Sequence, residues 1–477
     1  MMRQCAPSFL LFLLSMSVFA EEPRLIAPDD RKYLAFDPRV ICSSENARLI
    51  LGRVTKEARN PLFQADKPWE NSLNNLYPNV IWDEQERVFK LWYKCVLADK
   101  DAIAKMERPS TIHDVGWYLL YATSKDGLAW ERPALGLNAF DGNKDTNIVA
   151  RDTPNVGVFK DTQDAEPARR YKMVYDVGLG KLRVRFSADG IHWGEPVEAT
   201  GFGQKNGDTH NNAFWDERSR KYLWFTKLYL GERLVARFES DDFIAWKDSG
   251  MVLRSTPDEG KASQTYCLPV FRYGSIYLGY VMMYHVGKGR SVDCELAWSP
   301  DSIQWQRVMP GTPFIPRGPK GAYDSECIYA QAGAPVAVGK EMLIYYGGDD
   351  FPHTGWKRHC LPCLARVPLD RFAGYEPITA TAPAILHSGI FVADREPLKV
   401  SADSAGGSVI LRVLNEAGHV LAESEIISAM VTDEPVRWKS GAEKLAGAKV
   451  TLKIELQNAK LWALSGWELF EKQMPRK

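Results

Sequence analysis

Carboxylates recur in the short segments that precede predicted strands, and they are the residues of this sequence best suited to chemistry. One protonated carboxyl can donate to a leaving oxygen while an ionised one activates water or attacks the anomeric carbon, as cleavage of a glycosidic bond requires. Asp208, Asp324 and Glu326 are favoured because Tyr, His, Asn or Ser surrounds them. A carboxylate before a strand can instead bind backbone N–H groups, so a structural role stays open. The candidates for catalysis are Asp208, Glu326, Asp324, Glu70 and Asp152.

Aromatic, amide, histidine and arginine side chains stand near these acids and could contact a sugar. Trp69 and Trp356 lie in loops and could stack on a sugar ring, with core packing as the alternative. His210 and His353 could hydrogen-bond hydroxyl groups or serve only the structure. The candidates for substrate binding are Trp69, Asn75, His210, Asn211, Tyr266, Arg317, Tyr323, His353 and Trp356.

Metal and cofactor sites have little support in the sequence. Cys360 and Cys363 have the CxxC spacing, but no second CxxC accompanies them, so a structural pair or one disulfide is favoured over zinc. An oxygen-rich site could take a structural Ca²⁺, although no ligand spacing argues for one. We therefore expect no cofactor and no metal.

Other acids are expected to serve the structure. Asp126, Asp189, Asp242 and Asp301 recur in one turn motif, where aspartate binds local backbone. Asp293 and Glu295 alternate on one strand face and predict salt bridges. Four acids in hairpin turns are expected to be solvated: Asp83, Glu84, Asp216 and Glu217.

An internal repeat predicts the elements that must position these residues. Four Ser-x-Asp…Trp hairpins end at Trp130, Trp193, Trp246 and Trp305, at intervals of 63, 53 and 59 residues, and a degenerate fifth copy ends at Phe372. Asn79–Lys94 also aligns without a gap on Asn212–Lys227, as strand, charged turn and aromatic strand. About four short strands per unit, repeated radially, predict a propeller.

The predicted fold class is therefore all-β. A five-bladed β-propeller is expected over residues 24–376, with the innermost strands meeting in a funnel that holds the site. After residue 375, alternating strands separated by glycine-rich turns predict a C-terminal β-sandwich over residues 380–472.

Composition and the N-terminus limit partners and location. The 477 residues contain 60 basic and 60 acidic side chains, so no overall field would attract nucleic acid. Residues 1–20 combine Arg3, a short apolar run and small residues before Glu21. This pattern predicts a cleaved signal peptide and a periplasmic or extracellular location. No later stretch reaches about 18 apolar residues, so membrane insertion is not expected. Carbohydrate is the expected partner, and the oligomeric state is left open.

The hairpins, the five-fold count and the C-terminal strands resemble the five-bladed glycoside hydrolases of families 32, 43, 68, 117 and 130. The likeness is closest to uncharacterised exported bacterial proteins described as family-32-like. It is carried by the segments Asn60–Phe63, Asp66–Glu70, Asn75–Val80, Phe314–Gly318, Tyr345–Gly348 and Phe372–Tyr375.

The resemblance implies an exported glycoside hydrolase that acts on an oligo- or polysaccharide by carboxylate catalysis. The first repeat has Asn74-Asn75 without the aspartate of the family 32 nucleophile motif, and Glu326-Cys327 matches that family's acid/base motif only in the fifth repeat. Acids spread over several blades fit the inverting arrangement of family 43 better. A carbohydrate-binding propeller without catalysis is the main alternative, followed by sialidase-like and phosphorylase activities.

Overall fold

The computed structural model describes residues 21–178, 180–203, 206–287, 289–441 and 444–470. The predicted signal peptide lies outside these residues. The described chain is almost entirely β, which confirms the predicted class. Its helical elements are the α-helix Lys100–Ala104 and the 3₁₀ turns Pro167–Arg169 and Gly260–Ala262. No helix within the described ranges is long and apolar enough to cross a membrane.

Three antiparallel sheets of four strands follow one another, each with its strands in chain order. The first contains Asn79–Asp83, Val88–Leu97, Gly116–Ser124 and Ile148–Arg151. The second contains Gly157–Lys160, Tyr171–Asp176, Leu182–Ser187 and Val197–Glu198. The third contains Asn212–Asp216, Lys221–Tyr229, Arg233–Ser240 and Lys247–Leu253.

The aligned segments of the first and third sheets share a device that joins neighbouring sheets. The Asn79 side-chain oxygen accepts a hydrogen bond from the Val158 N–H at 2.9 Å, and Asn212 accepts one from Val270 N–H at 2.9 Å. Each asparagine thus binds the first strand of its own sheet to the sheet that follows. The sequence repeat therefore corresponds to a repeat of contacts.

Two further groups of strands form one eleven-stranded sheet. They are joined by a parallel pairing in which Val292 lies opposite Cys327. The first group contains Ser263–Cys267, Val270–Tyr273, Ile276–His285, Val292–Ser299 and Gln306–Arg307. The second contains Cys327–Ala330, Val336–Val338, Glu341–Asp349 and Leu361–Pro368, to which Pro23–Leu25 and Thr55–Lys56 add from the start of the chain.

The last two sheets combine both ends of the described chain. One contains Lys32–Leu34, Ala47–Leu51, Ala373–Pro377, Lys399–Asp403, Met430–Pro435 and Lys460–Ser465. The other contains Ile41–Glu45, Ala384–Ser388, Phe391–Val392, Ser408–Leu414, Val420–Ser424, Trp438–Ser440, Lys449–Gln457 and Glu468–Leu469. They share one hydrophobic core, which includes Val400, Leu411, Ile454 and Leu464. The strands of residues 32–51, placed by the sequence with the first domain, thus pair with C-terminal strands.

The repeated aspartates bind local backbone, as predicted. In the hairpin of Asp189, its Oδ1 accepts the N–H groups of Ile191 and His192 at 2.8 Å, and Asp126, Asp242 and Asp301 repeat the arrangement. The prediction that Asp83 and Asp216 are solvated is wrong, because both are buried. Asp83 accepts from the Tyr171 hydroxyl at 2.6 Å, and Asp216 accepts from Tyr277 at 2.9 Å. A tyrosine of the following sheet therefore accounts for each burial.

Candidate functional site

Charged residues stand at or near the end of the second strand in several sheets, and their surroundings connect them. Lys94 lies near the end of Val88–Leu97, Asp176 ends Tyr171–Asp176, and Lys227 lies near the end of Lys221–Tyr229. Asp349 ends Glu341–Asp349, and two loops add Asp208 and Arg358. We call these six residues the strand-end cluster: Lys94, Asp176, Asp208, Lys227, Asp349 and Arg358.

Asp176 and Asp208 form a pair of acids in unlike surroundings. Asp176 is buried, and its carboxylate accepts from the Asn155 side-chain amide at 3.0 Å and from the backbone N–H of Asp208. Burial and the neighbouring charge of Asp208 raise the pKa of Asp176 to about 6. The Asp208 side chain is 72% exposed, and its carboxylate pairs with the Lys227 ammonium at 2.5 Å. One acid is therefore suited to hold a proton while the other faces solvent.

Backbone geometry permits this close approach. Gly207 has φ +98°, and a Cβ at that position would lie 3.0 Å from the Asp176 Cβ. A side chain there would meet both a strained backbone and the buried acid, whereas glycine avoids both. Gly207 thus brings the Asp208 backbone against Asp176.

The cationic side of the cluster is buried. The Lys94 ammonium hydrogen-bonds the side-chain oxygens of Asn74 at 3.3 Å and Asn155 at 3.5 Å, and lies 4.2 Å from the Tyr77 ring centroid. Burial and repulsion by Arg358 lower the pKa of Lys94 to about 7. The Lys94 ammonium is therefore buried and easily deprotonated.

Arg358 is held by polar groups from several elements. Its guanidinium donates to the Tyr329 hydroxyl at 3.1 Å and to the Asn75 side-chain oxygen, and one nitrogen lies 3.7 Å from the Asp349 carboxylate. Burial raises the pKa of Asp349 to about 6, although the charge of Arg358 opposes the rise. The Nε of Arg358 and the Oδ2 of Asp349 have no hydrogen-bond partner among the described residues.

Tyrosine and histidine rings fill the space between the charges. The hydroxyl groups of Tyr77 and Tyr266 contact each other, and the His210 ring stacks on Tyr77 with centroids 4.8 Å apart. The Tyr329 hydroxyl bonds His353 Nδ1 at 2.6 Å. Burial, reinforced by the charge of Lys94, lowers the pKa of His210 to about 3, so this ring is neutral.

The structure brings six of the predicted residues into or against the cluster. Asp208 belongs to it, and His353 lies 3.5 Å from an Arg358 nitrogen. Asn211 plays a supporting role, because its side-chain oxygen accepts from Trp224 at 3.1 Å and Thr226 at 2.7 Å. The six are Asn75, Asp208, His210, Asn211, Tyr266 and His353.

Asp324 lies in a different environment. It is buried, its Oδ2 accepts from the Lys56 ammonium at 2.5 Å and from the Tyr346 hydroxyl at 2.9 Å, and no described contact joins it to Asp208. Tyr323 lies beside it, with its hydroxyl 3.4 Å from that of Tyr346. Asp324 is therefore a buried carboxylate that is held by a cation and a hydroxyl group.

Glu326 contacts the strand-end cluster through its backbone, and Arg317 binds an acid outside the cluster. The Glu326 backbone N–H donates to the Asp349 carbonyl at 3.0 Å, and its carboxylate forms no ion pair within the described residues. Arg317 donates to the Asp293 carboxylate at 2.6 Å, and Glu295 accepts from Arg307 at 2.9 Å. The predicted salt bridges of Asp293 and Glu295 are therefore present.

Glu70 and Trp69 belong to a buried network of the first sheet. The Glu70 carboxylate accepts from the Tyr93 hydroxyl at 2.7 Å and from Arg132 at 2.8 Å, and burial raises its pKa. Trp69 is 7% exposed and donates to Asn147 at 2.8 Å. Trp69 thus packs in the core, which was the alternative to sugar stacking.

Asp152 and Trp356 both contact Trp117, a neighbour of Lys94. The Asp152 backbone N–H donates to the Trp117 carbonyl at 2.8 Å, and the Trp356 ring meets the Trp117 ring edge-on at 5.4 Å. Trp356 is 39% exposed, so its ring stays open to a ligand.

The sequence indicates Asp349 as an acid of the fifth repeat and Arg358 as a weak candidate for a phosphate pocket, but it does not identify Lys94, Asp176 or Lys227 as site residues. These three lie in or at the end of second strands, whereas the predicted candidates lie in segments that lead into first strands. A usable signal was present, because the gapless alignment of Asn79–Lys94 with Asn212–Lys227 places Lys94 and Lys227 at the same position.

No group of three or more His, Cys, Asp or Glu side chains among the described residues is arranged to hold a metal ion. Cys360 and Cys363 are buried and free. A cleft of about 530 Å³ is lined in part by Trp82, Phe159 and Trp215, and its lining includes no residue of the cluster.

No protein-family model matches the sequence, and no curated protein sequence matches it. Among solved structures, the chain is similar to β-1,2-mannobiose phosphorylase from Listeria innocua bound to β-1,2-mannobiose, with 14% identity, a TM-score of 0.46, and 67% of this chain and 98% of the other covered. It is also similar to a glycosyl hydrolase from Bacteroides ovatus, with 15% identity, a TM-score of 0.43, and 69% and 97% covered.

An N-acetylgalactosamine deacetylase from F. plautii in complex with blood group B trisaccharide gives 13% identity and a TM-score of 0.39, with 73% of this chain and 96% of the other covered. Structural neighbours of this chain thus include glycoside hydrolases and a phosphorylase. Sequence identity to each of these three structures is low.

Proposed function

We propose that this chain is an exported glycoside hydrolase that cleaves an oligo- or polysaccharide at the strand-end cluster. The observation that carries the proposal is the adjoining acid pair: Asp176 is buried with its pKa raised to about 6, and Asp208 is exposed and paired with Lys227. Two carboxyl groups whose environments differ in this way suit an acid and a base or nucleophile. Asp176 then donates a proton to the leaving oxygen, and Asp208 activates water or attacks the anomeric carbon.

The proposed architecture is a five-bladed propeller followed by a sandwich. Three four-stranded sheets and the two groups within the eleven-stranded sheet supply five sets of strands, and the two remaining sheets share one core. In this arrangement Lys94, Asp176, Lys227 and Asp349 come from four blades and converge at one mouth. Export would remove residues 1–20, and mass spectrometry of secreted protein should then find Glu21 or a near neighbour at its N-terminus.

The test is hydrolysis of a panel of aryl glycosides and polysaccharides by the purified chain and by Asp176→Asn and Asp208→Asn. General acid–base assistance contributes on the order of 10²–10⁴ in rate, so each variant should lose about that factor in kcat while its circular dichroism is unchanged. Asp324→Asn is the matched control and should keep its activity per folded molecule. Wild-type kcat in both cluster variants would refute the assignment.

A carbohydrate-binding protein without catalysis is the second candidate. The cleft lined in part by the half-buried rings of Phe159 and Trp215 favours it, because aromatic faces that border a cleft can stack on sugar rings. Sugar binding that is lost in Trp215→Ala and retained in Asp208→Asn, with no turnover of any substrate in the panel, would support this candidate.

A further inference from the structure

Two arginines lie near His353. An Arg358 nitrogen lies 3.5 Å from its Nδ1, and the Arg233 guanidinium lies 4.7 Å from the Tyr284 ring, which packs 5.0 Å from the His353 ring. Burial, reinforced by the charges of Arg358, Arg233, Lys94 and Lys227, holds the pKa of His353 well below its usual value. His353 is therefore a neutral ring near several cations.

These cations are unequally neutralised. Lys227 has Asp208 and Arg358 has Asp349, whereas neither Lys94 nor Arg233 has a carboxylate within 4.0 Å among the described residues. Lys94 is buried and bonds only amide oxygens at 3.3 and 3.5 Å. The Nε atoms of Arg233 and Arg358 have no hydrogen-bond partner in the described chain.

Buried cations without an anion are costly, and unpartnered buried donors call for a partner. An anion would meet both requirements, and the site can be reached from solvent because Asp208 is exposed and Arg233 and His353 are only half-buried. A carboxylate suits a guanidinium because two N–H groups can donate to its two oxygens.

We propose that the sugar bound at this cluster is acidic, a uronic acid or a similar carboxylate-bearing residue, and that Arg233, Arg358 and Lys94 receive its carboxylate. This inference rests on the proposed function, since it names the substrate class of the same site. The Asp208 carboxylate would repel the carboxylate of the sugar and so keep it on the arginine side, which orients the sugar relative to the acid pair.

The experiment is isothermal titration calorimetry with D-glucuronate and D-galacturonate, each paired with its neutral sugar, D-glucose or D-galactose. We expect the acidic member to bind at least tenfold more tightly. Arg233→Gln should reduce that preference about tenfold, and Lys94→Met is a second variant that removes the other unpaired cation. Arg185→Gln is the matched control, because Arg185 also lies over a tyrosine ring, at 5.7 Å from that of Tyr175, but is not one of the cations that act on His353, and it should keep the preference.

Equal affinity for acidic and neutral sugars would overturn the inference, and so would binding of inorganic phosphate without binding of either uronate. If neutral glycosides were then hydrolysed in a manner that needs Asp176 and Asp208, the proposed function would stand without the acidic substrate. Uronate binding with no turnover of any substrate would support the inference and contradict the hydrolase.

Discussion

The surroundings of Asp208 and of Asp324 can be compared, because both acids precede a first strand and both meet a lysine. Asp324 is buried and accepts from Lys56 at 2.5 Å and Tyr346 at 2.9 Å. Asp208 also meets a lysine at 2.5 Å, but it is exposed and its backbone N–H donates to the second acid, Asp176. A single buried carboxylate that accepts from a cation and a hydroxyl group stabilises the fold. In the second region, Asp176 can hold a proton beside the exposed carboxylate of Asp208.

The largest expected effect on stability concerns Asp176 and its pH dependence. Its pKa is about 6 in the folded chain against an ordinary value of 3.8, so folding favours the protonated form. The stability this supplies is complete below pH about 4 and is lost as the pH rises through 6, up to about 3 kcal/mol. Relative to Asp176→Asn, the wild type should therefore become less stable between pH 4 and 8.

Urea unfolding at pH 4, 6 and 8 measures this difference. Asp126→Asn is the control, because the opposing effect of burial is outweighed by hydrogen bonds from the Leu128 and Ala129 N–H groups, which lower the pKa of Asp126 below its ordinary value of 3.8. The stability that Asp126 supplies is lost as the pH falls below that ordinary value, so its difference from wild type should change little between pH 4 and 8. A flat difference for Asp176→Asn as well would contradict the raised pKa.

A smaller loss of stability is expected at Asp324. Asp324→Leu leaves the Tyr346 hydroxyl and the Lys56 ammonium without their acceptor, which should cost about 1–3 kcal/mol in the free energy of unfolding. Because Lys56 is 22% exposed and can reach water, the lower half of that range is expected.

The double variant Asp324→Leu with Lys56→Met should recover part of the loss, since both members of the ion pair are then replaced. Denaturant unfolding of the four proteins gives the coupling. A loss of activity per folded molecule in Asp324→Leu would remove the distinction between the two regions and return Asp324 to the catalytic candidates.

The repeat made much of the fold predictable. The Ser-x-Asp…Trp hairpins depend on hydrogen bonds within three residues, so a short motif identifies them. The pairing of the strands of residues 32–51 could not be predicted, because their partners lie more than 300 residues later, for example Leu464 opposite Tyr33. Pairing over such a distance leaves no mark in local sequence.

The candidate site was only partly predictable for a related reason. Asp208 could be recognised by its polar neighbours, but Asp176 ends an ordinary strand, and its raised pKa comes from burial and from a loop 32 residues away. Asp83 shows the reverse case, since a charged turn predicts solvent exposure while Tyr171 of the following sheet buries it. Contacts between sheets decided each outcome.

The smallest expected effect is that of Asp189, a turn aspartate, in comparison with the acids of the cluster. Asp189→Ala removes an acceptor that binds two backbone N–H groups at 2.8 Å in a hairpin at the solvent surface. Water can replace these bonds in part, so the cost should be about 0.5–1.5 kcal/mol, with no change in kcat. Asp189→Asn keeps the Oδ1 acceptor and should recover most of that loss, which thermal unfolding of the three proteins will show. A rate loss in Asp189→Ala without a change in Tm would instead mean that the turn acids act at the site, and the contrast between local and paired carboxylates would then fail.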